Sequence, residues 1–300
     1  MNLSERHLKA FLAVARLGNF TRAAIELHLS QSALTVQIQQ LEETLSVRLF
    51  DRNRRKVALT PVAQRLLEPI ERITSDIDTL LTRTQEIATL KRGIVAIAAL
   101  PSVAGGFLPL TIQKFAGAYP GISVRIHDVV AQRIEDLVDA GEVDFGIGSV
   151  VSKRPGVTHV PLLVDALCAF MPRSHPLAVR RNLSLKDLSG QPVLVTGKDS
   201  SVRKLFERAL AESGIDIDAA FETNYMSTAL ALARAGLGVA VLPESATDPA
   251  IDTGMVRVPL RSRGLKRQIS IITKGGRSLT PPAAKFVSVL MKQFELAHGR

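Results

Sequence analysis

The sequence predicts an N-terminal all-α winged helix-turn-helix unit, a long linker helix and a C-terminal α/β region. Three patterns predict this fold class. Apolar residues recur at helical spacing through the first 45 residues, a seam of apolar residues runs through residues 61–90, and apolar strands alternate with amphipathic helices after Gly93. Strand–helix–strand alternation of this length is typical of parallel βαβ units.

Three apolar stripes divide the N-terminal segment into three helices. They begin at Leu8, Phe20 and Leu34, and each continues at spacings of three and four residues. We expect Thr21 to cap the second helix and Ser30 to cap the third. Because the connection before Ser30 is very short, the second and third helices must cross sharply, which is the helix-turn-helix arrangement.

A strongly charged segment follows the third helix. Five of the six positions in 51–56 are charged, and the apolar residues Phe50 and Val57 flank them. A polar turn between two apolar ends predicts a short β-hairpin, or wing.

Residues 61–90 favour one long helix. Pro61 suits a first helical position, and Pro69 is expected to kink the helix. A helix of about 28 residues would be about 42 Å long. Its heptad seam predicts a coiled-coil-like contact with a second subunit, and the alternative is an amphipathic helix packed on its own domain. The residues assigned to dimerisation are Leu66, Ile70, Ile73, Ile77, Leu80 and Ile87.

The C-terminal region alternates strands and helices. The first three expected strands cover residues 94–100, 122–130 and 143–147, with helices at 102–118 and 132–140 between them. Further strands are expected at 162–171, 193–196, 239–242 and 268–273, and further helices at 201–213, 227–235 and 282–298. A parallel sheet binds ligands beyond the carboxyl ends of its strands, so the loops there are the first place to seek a site.

Composition sets outer limits on function. With 300 residues and 46% hydrophobic residues, the chain can fill two cores. Its formal charge of +10 favours polyanionic partners, but residues 1–60 hold only nine Lys and Arg against five Asp and Glu, so charge does not locate a nucleic-acid site. The lone Cys168 allows no disulfide within the chain, which fits a reducing cytoplasm. Neither a signal peptide nor an apolar run of 18 residues is present, so we expect no membrane span.

The stretch from Phe20 to Pro61 resembles the helix-turn-helix signature of the LysR-type transcriptional regulator (LTTR) family. The runs FTRAA at 20–24, LSQSALT at 29–35, LFDR at 49–52 and LTP at 59–61 carry the resemblance, and the later pattern of elements extends it over essentially the whole chain. Two positions depart from the family. Ser46 and Ala63 stand where glycine is usual or frequent, and Ser46 would have to accept a positive φ at the end of a helix.

The resemblance implies that the third helix reads DNA. Gln can pair with adenine, Ser and Thr can bind bases or phosphates, and an exposed Val can meet a thymine methyl group. The candidate base contacts are Gln31, Ser32, Thr35 and Val36. The alternative is that Gln31 and Thr35 only cap and solvate the helix.

The resemblance also gives the wing a role in DNA binding. The arginines Arg52, Arg54 and Arg55 would hold phosphates or enter a minor groove. Arg52 could instead pair with Asp51 or Glu42 for a structural reason.

The C-terminal half resembles the effector-binding region of the family, which is similar to periplasmic-binding-protein folds with two α/β subdomains around a cleft. The expected domains are 1–60 for DNA binding, 61–92 for the linker, and 93–300 for the effector, with subdomain I at 93–163 and 265–300 and subdomain II at 164–264. We expect a small effector with an acidic group and an apolar body. Its candidate contacts are Ser102, Val103, Val129, Ser149, Thr196, Ser201, Val202 and Met226.

Two of these serines are predicted to contact the effector because of their expected positions at the start of a helix. Ser102 and Ser201 are each expected to open a helix, where free amides attract an anion. The alternative is that both are ordinary N-caps.

Other chemistry finds little support in the sequence. The six histidines lack metal-ligand spacing, no G-x-S-x-G elbow is present, and the glycines of Gly236-Leu237-Gly238 precede a strand and not a helix. We therefore expect no enzyme activity, no metal and no cofactor. A solute-binding protein without a regulatory role and an enzyme with a DNA-binding arm are the alternatives. The family resemblance implies promoter DNA, a second copy as homodimer or homotetramer, a small-molecule effector and RNA polymerase as partners, on the nucleoid in the cytoplasm.

Overall fold

The computed structural model describes residues 3–53, 56–150, 154–246 and 254–298. The chain divides into two compact units, Met1–Glu86 and Ile87–Arg300. Within the described ranges, no helix combines the length and apolar character needed to cross a membrane.

The first unit begins with three helices, α1 (Glu5–Leu17), α2 (Phe20–Glu26) and α3 (Gln31–Leu45). Their apolar stripes meet in one core that includes Phe11, Leu34 and Ile38, all of them fully buried. The expected cap of α3 is confirmed, because Ser30 Oγ accepts a hydrogen bond from the backbone N–H of Ala33 at 3.1 Å. The expected cap of α2 is wrong. Asn19 caps that helix by accepting from the N–H of Arg22 at 3.0 Å, since its amide oxygen stands three residues before that donor.

The wing is tied to the end of α3. Strands β1 (Phe50–Asn53) and β2 (Lys56–Leu59) pair antiparallel, and α3 ends at Ser46, whose φ of 56° is left-handed as expected. Glu42 Oε1 accepts from the backbone N–H of Leu49 at 2.6 Å and from that of Phe50 at 3.3 Å. The carboxylate therefore holds the start of the wing against the helix.

The linker helix α4 (Pro61–Ala88) continues through Pro69. Its first half packs on its own unit, because Ala63, Ile70 and Thr74 are buried there. Other residues of the seam are exposed, since Ile73, Leu80 and Ile87 expose 44%, 65% and 43% of their surface. Packing on its own unit therefore accounts for the buried residues of the helix, and contact with a second subunit stays a prediction for the exposed ones.

The second unit is an α/β fold with strands β3 to β11 and helices α5 to α10. The strands are β3 (Gly93–Ala99), β4 (Ile122–Asp128), β5 (Phe145–Ser149), β6 (Val157–Pro172), β7 (Val193–Thr196), β8 (Ala219–Thr223), β9 (Val239–Pro243), β10 (Met255–Pro259) and β11 (Lys266–Lys274). The helices are α5 (Pro101–Ala104), α6 (Leu108–Ala118), α7 (Ala131–Ala140), α8 (Ser201–Ser213), α9 (Met226–Arg234) and α10 (Pro281–His298).

The long strand β6 links two halves of the sheet. The strand order is β4-β3-β5-β11-β6-β9-β7-β8, with β10 also on β6. The first part of β6 pairs with β11, and its last part pairs with β9 and β10. Separate cores lie under the two halves, and we refer to the halves as lobe I (β3, β4, β5 and β11) and lobe II (β7, β8, β9 and β10).

Two expectations in this unit are corrected. The helix expected over residues 102–118 is broken into α5 and α6 at Gly105-Gly106, and only glycine fits at position 106, because a Cβ there would lie 1.8 Å from the backbone oxygen of Ser245. Strands β8 and β10 were not expected. Both are short, and β8 is largely exposed at the sheet edge, so neither shows a strong apolar alternation.

Candidate DNA interface and effector cleft

The residues predicted to contact bases lie on the first two turns of α3. Gln31 and Ser32 are exposed and Val36 exposes 48% of its surface, while Leu34 and Ile38 on the other side of the helix are fully buried. A rigid core therefore presents these predicted side chains outward, where a recognition helix contacts bases.

Local hydrogen bonds orient these polar groups. Gln31 Oε1 accepts from Thr21 Oγ1 at 3.1 Å, which leaves its amide hydrogens and one lone pair for a base. Thr35 Oγ1 donates to the carbonyl of Gln31 at 2.9 Å, so the hydroxyl of Thr35 offers only acceptors outward. Thr21 was assigned only as a cap by the sequence pattern. In the structure Thr21 is instead the second residue of α2, and its hydroxyl orients the side chain of Gln31.

The wing arginines are only partly accounted for. Arg54 and Arg55 lie outside the described residues, and Arg52 is placed on β1 by its backbone alone. The acidic alternative partner Glu42 is engaged with the backbone of Leu49 and Phe50.

Two adjoining cavities lie between lobe I and lobe II. The first has a volume of about 470 Å³ and the second about 320 Å³. Ser102, Thr196, Ser201 and Met226 line the first cavity, and Ser149 and Ser201 line the second. The structure thus brings together five of the eight predicted effector contacts.

The remaining three predicted contacts are placed elsewhere. Val103 and Val202 are buried in the cores of lobe I and lobe II, and Val129 packs against the lobe I core. None of the three lines either cavity. The reason is helical geometry: Ser102 and Ser201 turn toward the cleft, so the residue after each one turns toward the core.

Neither Ser102 nor Ser201 is an N-cap. Leu100 holds that position for α5, and Ser200 holds it for α8, where its Oγ accepts from the N–H of Val202 at 3.2 Å. Because α5 has only four residues, its dipole gives little attraction for an anion at Ser102. The serine hydroxyls themselves are therefore the functional groups to consider.

A buried ion pair at the cleft was missed by the sequence reasoning. Arg267 on β11 and Asp165 on β6 face each other in register, with Arg267 Nη2 at 2.7 Å from Asp165 Oδ2. The same guanidinium donates to Ser102 Oγ at 2.6 Å and to Ser201 Oγ at 3.0 Å. Ser245 completes the shell of Asp165 through its N–H at 3.1 Å and its hydroxyl at 2.8 Å.

Thr196 leaves a polar atom in the cleft without a partner. Its Oγ1 is buried and has no hydrogen bond within the described part of the chain, and the residue lines the first cavity. A buried hydroxyl without a partner costs about 1–3 kcal/mol, which a bound ligand could recover.

The lone cysteine is an inert part of lobe II. Burial raises the pKa of the Cys168 thiol to about 12, since a thiolate would be poorly solvated there. Among the described residues, no three His, Cys, Asp or Glu side chains are grouped as metal ligands would be.

The geometry defines a class of protein, a DNA-binding regulator with an attached ligand-binding domain, and comparison with known proteins identifies the family. The model described as bacterial regulatory helix-turn-helix protein, lysR family, matches residues 5–64, and the LysR substrate binding domain matches residues 88–295. An uncharacterized HTH-type transcriptional regulator of Escherichia coli K12, YbhD, is 33% identical over 284 residues, which are 95% of this chain and 90% of that protein. The transcriptional activator protein LysR of the same organism is 29% identical over 84% of this chain and 81% of its own length.

Solved structures agree over nearly the whole chain. CbnR complexed with its target DNA has a TM-score of 0.68 and 26% identity, covering 97% of this chain and 99% of that chain. Full-length OxyR from Pseudomonas aeruginosa has a TM-score of 0.71 and covers 98% and 100%, and at 20% identity it shows the fold alone. The chain belongs to the LysR family of transcriptional regulators. It is a DNA-binding transcription regulator whose C-terminal domain is of the effector-binding kind.

Proposed function

We propose that this regulator reads promoter DNA with Gln31, Ser32, Thr35 and Val36, pairs two subunits through α4, and responds to a small effector with an acidic group. The observation that carries the proposal is the polar stripe that begins at Gln31, exposed on a helix whose opposite side is fully buried. The wing arginines Arg52, Arg54 and Arg55 would add phosphate contacts, which position a protein on a duplex without reading its sequence.

Self-association is supported by the exposed apolar residues of α4. Ile73, Leu80 and Ile87 repeat at spacings of seven and expose their side chains in a single chain. Ile77 lies at an intervening position of the same seam, which is what a coiled-coil contact requires. Leu66 and Ile70 continue the seam in the sequence but pack in the core of their own unit, so we assign the contact to the part of α4 from Ile73 onward. A dimer would present two copies of α3 to half-sites about 34 Å or a multiple of it apart. We extend the proposal to a tetramer and to contact with RNA polymerase on the nucleoid in the cytoplasm, from membership of the family.

An acidic effector is supported by the donors of the cleft. Ser102, Thr196 and Ser201 line the first cavity, and the second adds the cations Lys204 and Arg208, with the acidic Asp199 lining both. Hydroxyl and cationic donors bind carboxylates through charge-assisted hydrogen bonds. Met226 and the other apolar lining would meet the body of the molecule.

The response to effector follows from the position of the cleft. A ligand that bridges lobe I and lobe II binds one relative position of the lobes better than others, so it shifts the population toward that state. In the assembly, this shift would change the spacing of the DNA-binding pairs.

DNA binding is tested by selection from fragments of the genome that encodes the protein, followed by footprinting. We expect a small set of fragments to be enriched, each with two half-sites of approximate inverted symmetry. Equal retention of all fragments at physiological salt would contradict sequence-specific regulation and would favour non-specific binding alone. Titration of effector into the footprint then tests the response. A footprint that shortens or moves is expected, and an unchanged footprint at saturating effector would count against it.

A further inference from the structure

The centre of the cleft holds a guanidinium that contacts both lobes. Arg267 is 8% exposed and Asp165 is 1% exposed. The guanidinium donates twice to Asp165 Oδ2, from Nε at 3.1 Å and from Nη2 at 2.7 Å. Its other bonds go to Ser102 in lobe I and Ser201 in lobe II. The carboxylate of Asp165 balances the charge, so a neutral pair sits where an isolated cation would be costly.

The direction of these bonds fixes what the serines can do. A guanidinium has donors and no acceptor, so the oxygens of Ser102 and Ser201 must both accept from Arg267. Each serine therefore keeps its single hydroxyl hydrogen for another partner. Both serines line the first cavity, and so does Thr196, whose buried Oγ1 has no hydrogen-bond partner among the described residues. The exposed charged residues Lys198, Asp199 and Glu222 also line this cavity.

We infer that Arg267 is a specificity-determining residue of the cleft: by donating to one lone pair of Ser102 Oγ and of Ser201 Oγ, it orients the two hydroxyls, one from each lobe, so that both can donate to a carboxylate bound between them, which is favoured over the matching neutral amide. The inference rests on the proposed effector role of the cleft. A carboxylate has two oxygens that only accept, so it can receive a hydrogen bond from each lobe at once. An amide can also bond to both serines, because each hydroxyl keeps one lone pair, but those bonds are neutral, whereas the two bonds to a carboxylate are charge-assisted and about twice as strong.

The structure also says why charge alone would be insufficient. Asp165 already neutralises Arg267, so the selectivity depends on the two bonds to serine and not on a net positive charge. A lysine at this position would keep the ion pair, but a single ammonium group does not have the fork geometry that reaches Asp165, Ser102 and Ser201 together. The R267K substitution therefore distinguishes a positioning role of Arg267 from a purely electrostatic one.

The test uses the full chain and three pairs of probes: acetate with acetamide, benzoate with benzamide, and succinate with succinamide. Thermal shift and calorimetry give the ratio of carboxylate to amide affinity. We expect at least one carboxylate to bind the natural protein at least tenfold more tightly than its amide. In R267K, and in the neutral double variant D165N/R267Q, we expect that ratio to fall toward one. The double variant avoids an unpaired buried charge, so it keeps the test open if a single neutral variant does not fold.

The matched control is the exposed pair Arg257–Glu244, whose closest atoms are 3.0 Å apart on lobe II. R257Q/E244Q should leave the ratio unchanged. If a carboxylate binds and R267K and D165N/R267Q both keep the full ratio, the role of Arg267 is refuted while the effector cleft stands. If none of the three carboxylates binds the natural protein, the proposed acidic effector fails together with this inference.

Discussion

The bond between Glu42 and the wing gives the most quantitative prediction from the structure. Glu42 Oε1 accepts a short bond from the N–H of Leu49 and a longer one from that of Phe50, and both of these residues are buried. A hydrogen bond to a charged group contributes about 1.5–3 kcal/mol, and the longer bond adds less. We therefore expect E42A to destabilise the α3–wing connection by about 2–3 kcal/mol, and E42Q by about half of that because the amide oxygen still accepts.

Hydrogen exchange measured by mass spectrometry on the full chain is the suitable assay. Both tyrosines, Tyr119 and Tyr225, lie in the second unit and the chain has no Trp, so intrinsic fluorescence would not report on the wing. A loss of 2–3 kcal/mol corresponds to about 30-fold to 150-fold faster exchange in peptides covering residues 42–59. The neighbouring E43A is the control, since Glu43 is exposed and should change stability by less than about 0.5 kcal/mol. Equal exchange in E42A and E43A would refute the proposed attachment of the wing.

Three further predictions follow from single positions. S46G should stabilise the first unit by about 0.5–1 kcal/mol, because relief of the left-handed φ outweighs the added entropy of the unfolded chain. A lower denaturation midpoint in S46G would contradict this prediction. Iodoacetamide at pH 8 should leave Cys168 unmodified in the native protein and label it in denaturant, since burial raises the pKa of the thiol to about 12. Stoichiometric labelling of the native protein would show that the thiol is accessible. L80D should convert dimers to monomers in analytical ultracentrifugation while T79D, one residue outside the seam, should not; dimers in both variants would place the interface elsewhere.

The elements that the sequence predicted well are those with strong local signals. Helix α8 has the bounds that its apolar period predicts. Helix α4 has the predicted start and length, because Pro61 and a long apolar period define it locally. The break between α5 and α6 was missed, although Gly105-Gly106 marks it locally. The close approach of Ser245 to Gly106 could not be predicted, because the two residues lie far apart along the chain.

The ion pair of the cleft shows a signal that the pattern did contain. Arg267 stands two residues from Leu265 and from Ile269, so strand alternation places it on the inward face with these apolar residues. Asp165 stands in the same way two residues before Leu167 on β6. A charged residue at an inward position requires a partner, but only the register between β6 and β11 reveals which one.

Val103 and Val202 are two predicted effector contacts for which the sequence prediction was wrong. Each follows a serine that lines the cleft, and each was expected to contact the effector, yet a helix turns consecutive residues by about 100°. The structure accordingly places both in the cores of their lobes.

Base reading by the α3 stripe is tested by comparing Q31A with Q40A on two duplexes. Gln40 is the same residue type on the same helix, exposed, and about half a turn around from Gln31. Affinities are measured at one salt concentration for a duplex chosen by the genomic selection and for a random duplex of equal length. We expect Q31A to lose about 1–3 kcal/mol of binding free energy on the selected duplex alone, and Q40A to bind both duplexes like the natural protein. Equal loss by Q31A on both duplexes, or equal behaviour of the two variants, would contradict this expectation.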